Sequence, residues 1–221
     1  MMSNNLLLYG SIARGDSTKT SDIDLLTVGN DISNKIIINQ INVSYYNISK
    51  FEEMAVNGSL FIYHLNQEAK IIYDEGGSLN RIIFKDFSLK PNYNKEIFFA
   101  IELLYDIFSL YDKTINFSFA NSKIAWCLRT IYAGLGANNG VPMFSKKSIL
   151  DRFGKDSLEF LSIKKKSTNQ NNVFPKVKAH VNNIIDLPKN RKIQFSNDLL
   201  DFKESVLTTI KSNKNYFEFD Y

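Results

Sequence analysis

The sequence predicts an α/β (α+β) domain, a sheet with flanking helices, over residues 1–90, followed by an all-helical bundle domain over residues 91–221. Short apolar or alternating segments at residues 6–9, 22–28, 41–46 and 70–74 are confined to the first part and are punctuated by glycine and asparagine turns. Beyond Pro91 the apolar residues switch to helical spacing. Charge divides in the same region: residues 1–88 carry 7 Lys or Arg against 10 Asp or Glu, a net −3, and the remaining 20 basic and 13 acidic residues give +7. An acidic module suits metal binding, and a basic one holds a polyanion or keeps the protein soluble.

Leu6-Leu7-Leu8-Tyr9 reads as a first strand, ended by Gly10-Ser11, after which Ile12-Ala13-Arg14 starts a helical turn. In the next strand, residues 22–28, side chains alternate, so Asp22 and Asp24 point one way and Ile23 and Leu25 are expected to face the core. Residues 35–38 fit a strand or a short helix, and residues 41–46 a strand. Ser49-Lys50-Phe51-Glu52 has the form of a capping box, which starts a helix at Lys50 and occupies Glu52 with backbone N–H groups. Gly58 ends that helix; residues 60–65 form another, with Glu68 near its end, and residues 70–74 a further strand closed by Gly76-Gly77.

In the second part, residues 95–111 carry an apolar stripe of helical period. Residues 121–135 form a second helix, ended at Gly134-Leu135-Gly136, and Ser145 caps a third with Ile149, Leu150 and Phe153 inward. Residues 155–166, 177–185 and 198–211 complete the bundle, with a polar loop at residues 167–172. The aromatic residues fall on the buried stripes and are read as core.

Chemistry concentrates at residues 9–29. A glycine at position 10 lets backbone approach a ligand closely, and exposed N–H groups with the Ser11 hydroxyl make an anion-binding corner. Ten residues separate Ser11 from Asp22, enough to return the chain to a neighbouring strand. Asp22 and Asp24, with Cα atoms about 6.6 Å apart on a strand, then converge on divalent ions, magnesium by their hard oxygen donors. The same residues admit a plainer account, with Ser21-Asp22 as a turn cap, the two aspartates as a solvated strand face and Arg14 paired with Asp16.

Gly10-Ser11, Arg14-Gly15-Asp16 and Ser21-Asp22-Ile23-Asp24-Leu25 together resemble the small prokaryotic nucleotidyltransferases of the DNA polymerase β superfamily, and the likeness extends to about residue 75. The resemblance implies a mixed sheet and a nucleotidyltransferase catalytic domain followed by a helical substrate-binding domain. It makes Asp22 and Asp24 the catalytic and metal-binding residues, with Mg2+ (or Mn2+) as cofactor. Gly10, Ser11, Arg14 and Ser21 become nucleotide-binding, and a nucleoside triphosphate is the substrate. The acceptor is an RNA 3′ end such as that of tRNA, a protein, or a small hydroxylated molecule, and by analogy a partner protein of a two-gene toxin–antitoxin or phage-defence module is expected.

One part of the family pattern is missing. The superfamily places a third carboxylate on the strand that here carries Asn42 and Ser44, neither of which is a general base near neutral pH. Three accounts remain open: Glu52 or Glu53 substitutes, the metal alone activates the acceptor, or the protein binds nucleotide without turning it over. The last makes it a catalytically degenerate nucleotide-binding or scaffold protein.

The single cysteine, Cys127, precludes an internal disulfide, and with only His64 and His180 beside it a zinc site is not expected. No apolar run approaches membrane-spanning length and no basic-then-apolar leader opens the chain, so no membrane partner and a cytoplasmic location are expected. Arg129, Lys146 and Lys147 are the candidate substrate contacts of the basic half, beside Lys164-Lys165-Lys166, Lys176, Lys178, Lys189, Arg191 and Lys192. Those cations also define a third class, a nucleic-acid-binding module.

Overall fold

The computed structural model describes residues 5–19, 21–30, 33–185 and 193–212. The chain divides into two compact units, with the break between Pro91 and Asn92.

The first unit is built on a five-stranded mixed sheet of order β3-β4-β2-β1-β5. Its strands are β1 (Asn5–Tyr9), β2 (Ile23–Gly29), β3 (Asn34–Ile38), β4 (Ile41–Asn47) and β5 (Lys70–Asp74). β1 runs antiparallel to β2 and β5, β3 antiparallel to β4, and β2 parallel to β4. The ambiguous residues 35–38 are therefore strand: Asn39, at φ 55, turns β3 back onto β4, and ladder pairing decides between two local propensities of similar strength.

One face of this sheet carries the core. Leu7, Leu26 and Val28 pack with Phe51 and Ala55 of α2 (Ile48–Val56), Ile62 and Leu65 of α3 (Leu60–Glu68), and Leu79, Ile82 and Ile83. Those last three lie on α4 (Ser78–Asn80) and the π-helical turn Arg81–Asp86 that continues it. Alternation along β2 puts Asp24 on the face of Leu26 and Val28, and Ile23 and Leu25 on the other. The expectation that Ile23 and Leu25 face the core is thus reversed. Leu25 to Val28 is apolar at both parities apart from Thr27, so the sequence defines which residues share a face but not which face the helices cover.

Local signals misled in two further places. α2 begins at Ile48, with Asn47 as its cap accepting from the Ser49 and Lys50 N–H groups, and Glu52 pairs with Arg81 instead of closing a capping box. Gly134 and Gly136 do not end α6 (Phe117–Asn138), which runs through both. A Cβ at Gly134 would lie 2.6 Å from Ile97 Cγ1, and one at Gly136 2.5 Å from the Val141 carbonyl oxygen, so these glycines serve close packing instead of capping.

The second unit is helical. α5 (Asn94–Leu110) and α6 pack through Ile97, Leu104, Ile107, Ile124, Leu128 and Ile131. α7 (Lys146–Phe153), α8 (Lys155–Ser162), α9 (Phe174–Ile184) and α10 (Asn197–Lys211) follow, adding Ile149, Phe160, Val177 and Val206 to that core. Leu150, expected inward, is 39% exposed, because only one turn-to-turn stripe of the eight-residue α7 reaches the core. The polar loop after residue 166 is tied down from beneath. Buried Asn121 accepts from the Tyr111 hydroxyl and donates to the carbonyls of Lys166 and Thr168, and Tyr111 accepts from the Gln170 N–H. Cys127 is buried in the core, which pushes its thiol pKa up, as expected of an inert packing residue. Among the described residues no helix is long and apolar enough to cross a membrane.

Candidate functional site

Gly10 and Ser11 lie where β1 passes directly into α1 (Gly10–Arg14). Gly10 is buried at φ +75, and a Cβ on it would lie 2.6 Å from Asp24 Oδ2. The close approach that a glycine permits here is made by the protein's own carboxylate. Register enforces this contact, because Tyr9 and Asp24 are cross-strand partners and the next residue after Tyr9 is Gly10. On the other side, Asn42 is the register partner of Asp24 on β4, and its Nδ2 donates to Asp24 Oδ1 at 3.0 Å. Asp24 is therefore held between the glycine turn and an asparagine amide. Asp22 is exposed and lies just ahead of β2.

Ser11 is half-buried, and its carbonyl accepts from the Asp16 N–H at 3.0 Å. Gly15, at φ 80, ends α1 after its five residues. Arg14 is already engaged. Its Nε reaches Asp16 at 3.2 Å and its Nη1 reaches Glu68 Oε2 on α3 at 2.6 Å. Burial lowers the Arg14 pKa, but the hydrogen bonds and charges of Glu68 and then Asp16 outweigh it and leave the guanidinium above its ordinary value. Ser21 shapes the loop ahead of β2: its Oγ accepts from the Thr18 N–H at 2.8 Å.

Two carboxylates suit a magnesium ion that takes its other ligands from phosphate and water. Among the described residues no group of three or more His, Cys, Asp and Glu side chains is placed to hold a metal. The candidate substitutes for a third carboxylate are engaged elsewhere, Glu52 by Arg81 and Glu53 by Lys50 at 3.3 Å. The donor set thus fits a magnesium shared with substrate and lacks a third carboxylate on β4, the strand of Asn42 and Ser44.

The candidate substrate contacts belong to the second unit. Arg129 is half-buried on α6, and Lys146 and Lys147 are exposed in the first turn of α7, whose cap Ser145 accepts from the Ser148 N–H at 3.0 Å. Cations at a helix N-terminus oppose its dipole, so these two lysines are not the C-terminal pattern that a lysine run suggests, whereas Lys164 and Lys165 follow the end of α8. Lys189, Arg191 and Lys192 lie outside the described residues.

Sequence reasoning missed Glu68 as a partner of Arg14 and treated His64 by itself. His64 Nε2 lies 2.7 Å from Glu68 Oε2. The signal was present in the four-residue spacing of the two on one helix; that this face meets α1 was not.

Comparison with known proteins gives a match of the nucleotidyltransferase domain family model over residues 4–121. Among solved structures, a nucleotidyltransferase-like protein from Exiguobacterium sibiricum 255-15 is similar at 11% identity and a TM-score of 0.30, covering 95% of this chain and 81% of that one. No curated protein matches. The family model spans more than half of the chain and includes the glycine-serine turn, Asp22, Asp24 and Asn42, and the chain belongs to the nucleotidyltransferase domain family, whose general chemistry is nucleotidyl transfer.

Proposed function

We propose that the chain moves a nucleoside monophosphate from a nucleoside triphosphate to a hydroxyl acceptor in a magnesium-dependent reaction. The acceptor oxygen attacks the α-phosphorus, the bond to the β-phosphate oxygen breaks, and pyrophosphate leaves as the hydroxyl proton is released. Asp22 and Asp24 hold Mg2+ (or Mn2+), which when bound neutralises charge developing on the transferred group. Gly10, Ser11 and Arg14 receive the polyphosphate, and Ser21 holds the loop that leads to Asp22. Asn42 takes no proton, so the acceptor is activated without a dedicated carboxylate beside Asp24.

Residues 1–90 are the catalytic part in this reading and residues 91–221 the substrate-binding part, with Arg129, Lys146 and Lys147 as substrate contacts. The acceptor classes are an RNA 3′ end such as that of tRNA, a protein side chain and a small hydroxylated molecule, in a two-gene toxin–antitoxin or phage-defence setting. The basic excess of the second part favours the polyanionic RNA.

The observation that supports the reading is the Asp24 carboxylate seated on Gly10, a proposed metal ligand beside the proposed phosphate-binding turn. It is tested by incubating the protein with magnesium, labelled triphosphates and the three acceptor classes, with Asp22→Ala/Asp24→Ala as control. Metal-dependent label transfer that the control loses supports it. The Asn42–Asp24 bond favours a second reading, a nucleotide-binding protein without turnover. Triphosphate binding with no transfer and no pyrophosphate release leaves that second reading.

A further inference from the structure

We propose that Glu68 is a positioning residue for the triphosphate and acts through Arg14. The inference rests on the nucleotide site proposed above.

α1 is five residues long and ends at once in the left-handed Gly15, so the phosphate-binding turn has little helix of its own to hold a long side chain in place. The Arg14 side chain is nevertheless only 17% exposed, and it reaches across to α3, where the Glu68 side chain is 11% exposed. Glu68 Oε2 accepts from Arg14 Nη1 at 2.6 Å and lies 2.7 Å from His64 Nε2. A carboxylate this far from water needs a charged partner, and Arg14 supplies it. His64 is itself set edge-on against Tyr9, the residue that precedes Gly10 and pairs with Asp24, so the network spans both sides of the turn.

A guanidinium has five N–H donors. Asp16 takes Nε and Glu68 takes one donor of Nη1, which leaves three for a phosphate. Asp16 sits two residues from Arg14, just past the Gly15 cap, and is an anchor that moves with it. Glu68 sits on a helix whose Ile62 and Leu65 are in the core, and it is the anchor that ties the guanidinium to the rigid part of the unit. Without its charge, Arg14 keeps its own charge but loses its bearing. Its phosphate contact is made in the ground state and the transition state alike, so the loss falls on binding.

The test measures triphosphate affinity, using α,β-methylene ATP and its G, C and U counterparts with Mg2+. Glu68→Gln weakens binding about tenfold and raises KM by the same factor, while kcat for transfer stays within about twofold. In an Arg14→Ala background the same change adds nothing, since Glu68 acts through Arg14. A merely structural Glu68 would lower the melting temperature and weaken binding equally with or without Arg14, and that outcome overturns the inference. So does a Glu68→Gln protein that binds as tightly as the parent. A parent protein that binds none of the four analogues overturns the nucleotide site itself.

Discussion

The side-chain amide of Asn42 donates to Asp24 Oδ1 at 3.0 Å across the parallel β2–β4 pair, on the strand where the sequence resemblance leads one to expect a carboxylate at Asn42 or Ser44. Asn42→Asp replaces that donor by a second negative charge. Without metal the two carboxylates repel, and the variant loses about 1–2 kcal/mol of stability. Mn2+ restores it and binds more tightly than in the parent. Thermal melts with and without Mn2+ check this; a variant indifferent to the ion shows that no cation gathers at Asp24.

Gly10→Ala adds a methyl group at φ +75 and 2.6 Å from Asp24 Oδ2. The left-handed backbone costs about 1–2 kcal/mol. Displacing the carboxylate by the order of 1 Å lowers transfer about 100-fold, out of proportion to the stability lost. Parallel measurement of denaturation and transfer rate separates the two, and equal, small effects would remove Asp24 from the reaction.

Gly134→Ala would stabilise an ordinary exposed helix, by about 1 kcal/mol. Here the new Cβ meets Ile97 Cγ1 at 2.6 Å, so the expected change is a loss of about 1–3 kcal/mol by overpacking. Pairing it with Ile97→Ala relieves the clash, and the double variant is then less destabilised than the sum of the two, as urea titration will show.

Asn121 is fully buried and serves Tyr111 and two loop carbonyls at once. Asn121→Ala removes the donor to both carbonyls and the acceptor of the Tyr111 hydroxyl and costs about 3 kcal/mol, against about 1 kcal/mol for Tyr111→Phe. Faster amide exchange at the Gln170 N–H, which donates to the Tyr111 hydroxyl, accompanies both.

His180 is held below its ordinary 6.5, first by burial, with Asp156 opposing. Its Nε2 lies 3.0 Å from the Tyr132 hydroxyl, and the rings of Tyr132 and Phe160 stand edge-on to it. The unfolded chain therefore binds a proton at a higher pH than the fold does. Stability contributed by His180 is complete above pH 6.5 and is lost as the pH falls through the lowered value of the folded state. Melting temperatures taken from pH 7 to about pH 5 drop more in the parent than in His180→Gln; parallel curves would refute the assignment.

Much of this was legible in the chain itself. Apolar alternation and glycine turns located four of the five strands, including the pairing-competent residues 41–46, because period-two burial is a local property of extended backbone, and left residues 35–38 for the ladder to decide. The Gly10-Ser11 turn and the Asp22/Asp24 pair were equally visible, since residue type and spacing define them.

What the sequence could not decide were the matters of contact: that helices cover the Leu26–Val28 face, that Gly134 admits Ile97, that Asn47 rather than Ser49 caps α2, and that Glu68 closes on Arg14. By itself the sequence determined the order and periodicity of the elements and the identity of the acidic pair. Only the tertiary structure decided their neighbours, because register and packing bring together residues as far apart as Arg14 and Glu68, and no local pattern encodes which side chain will fill a given space.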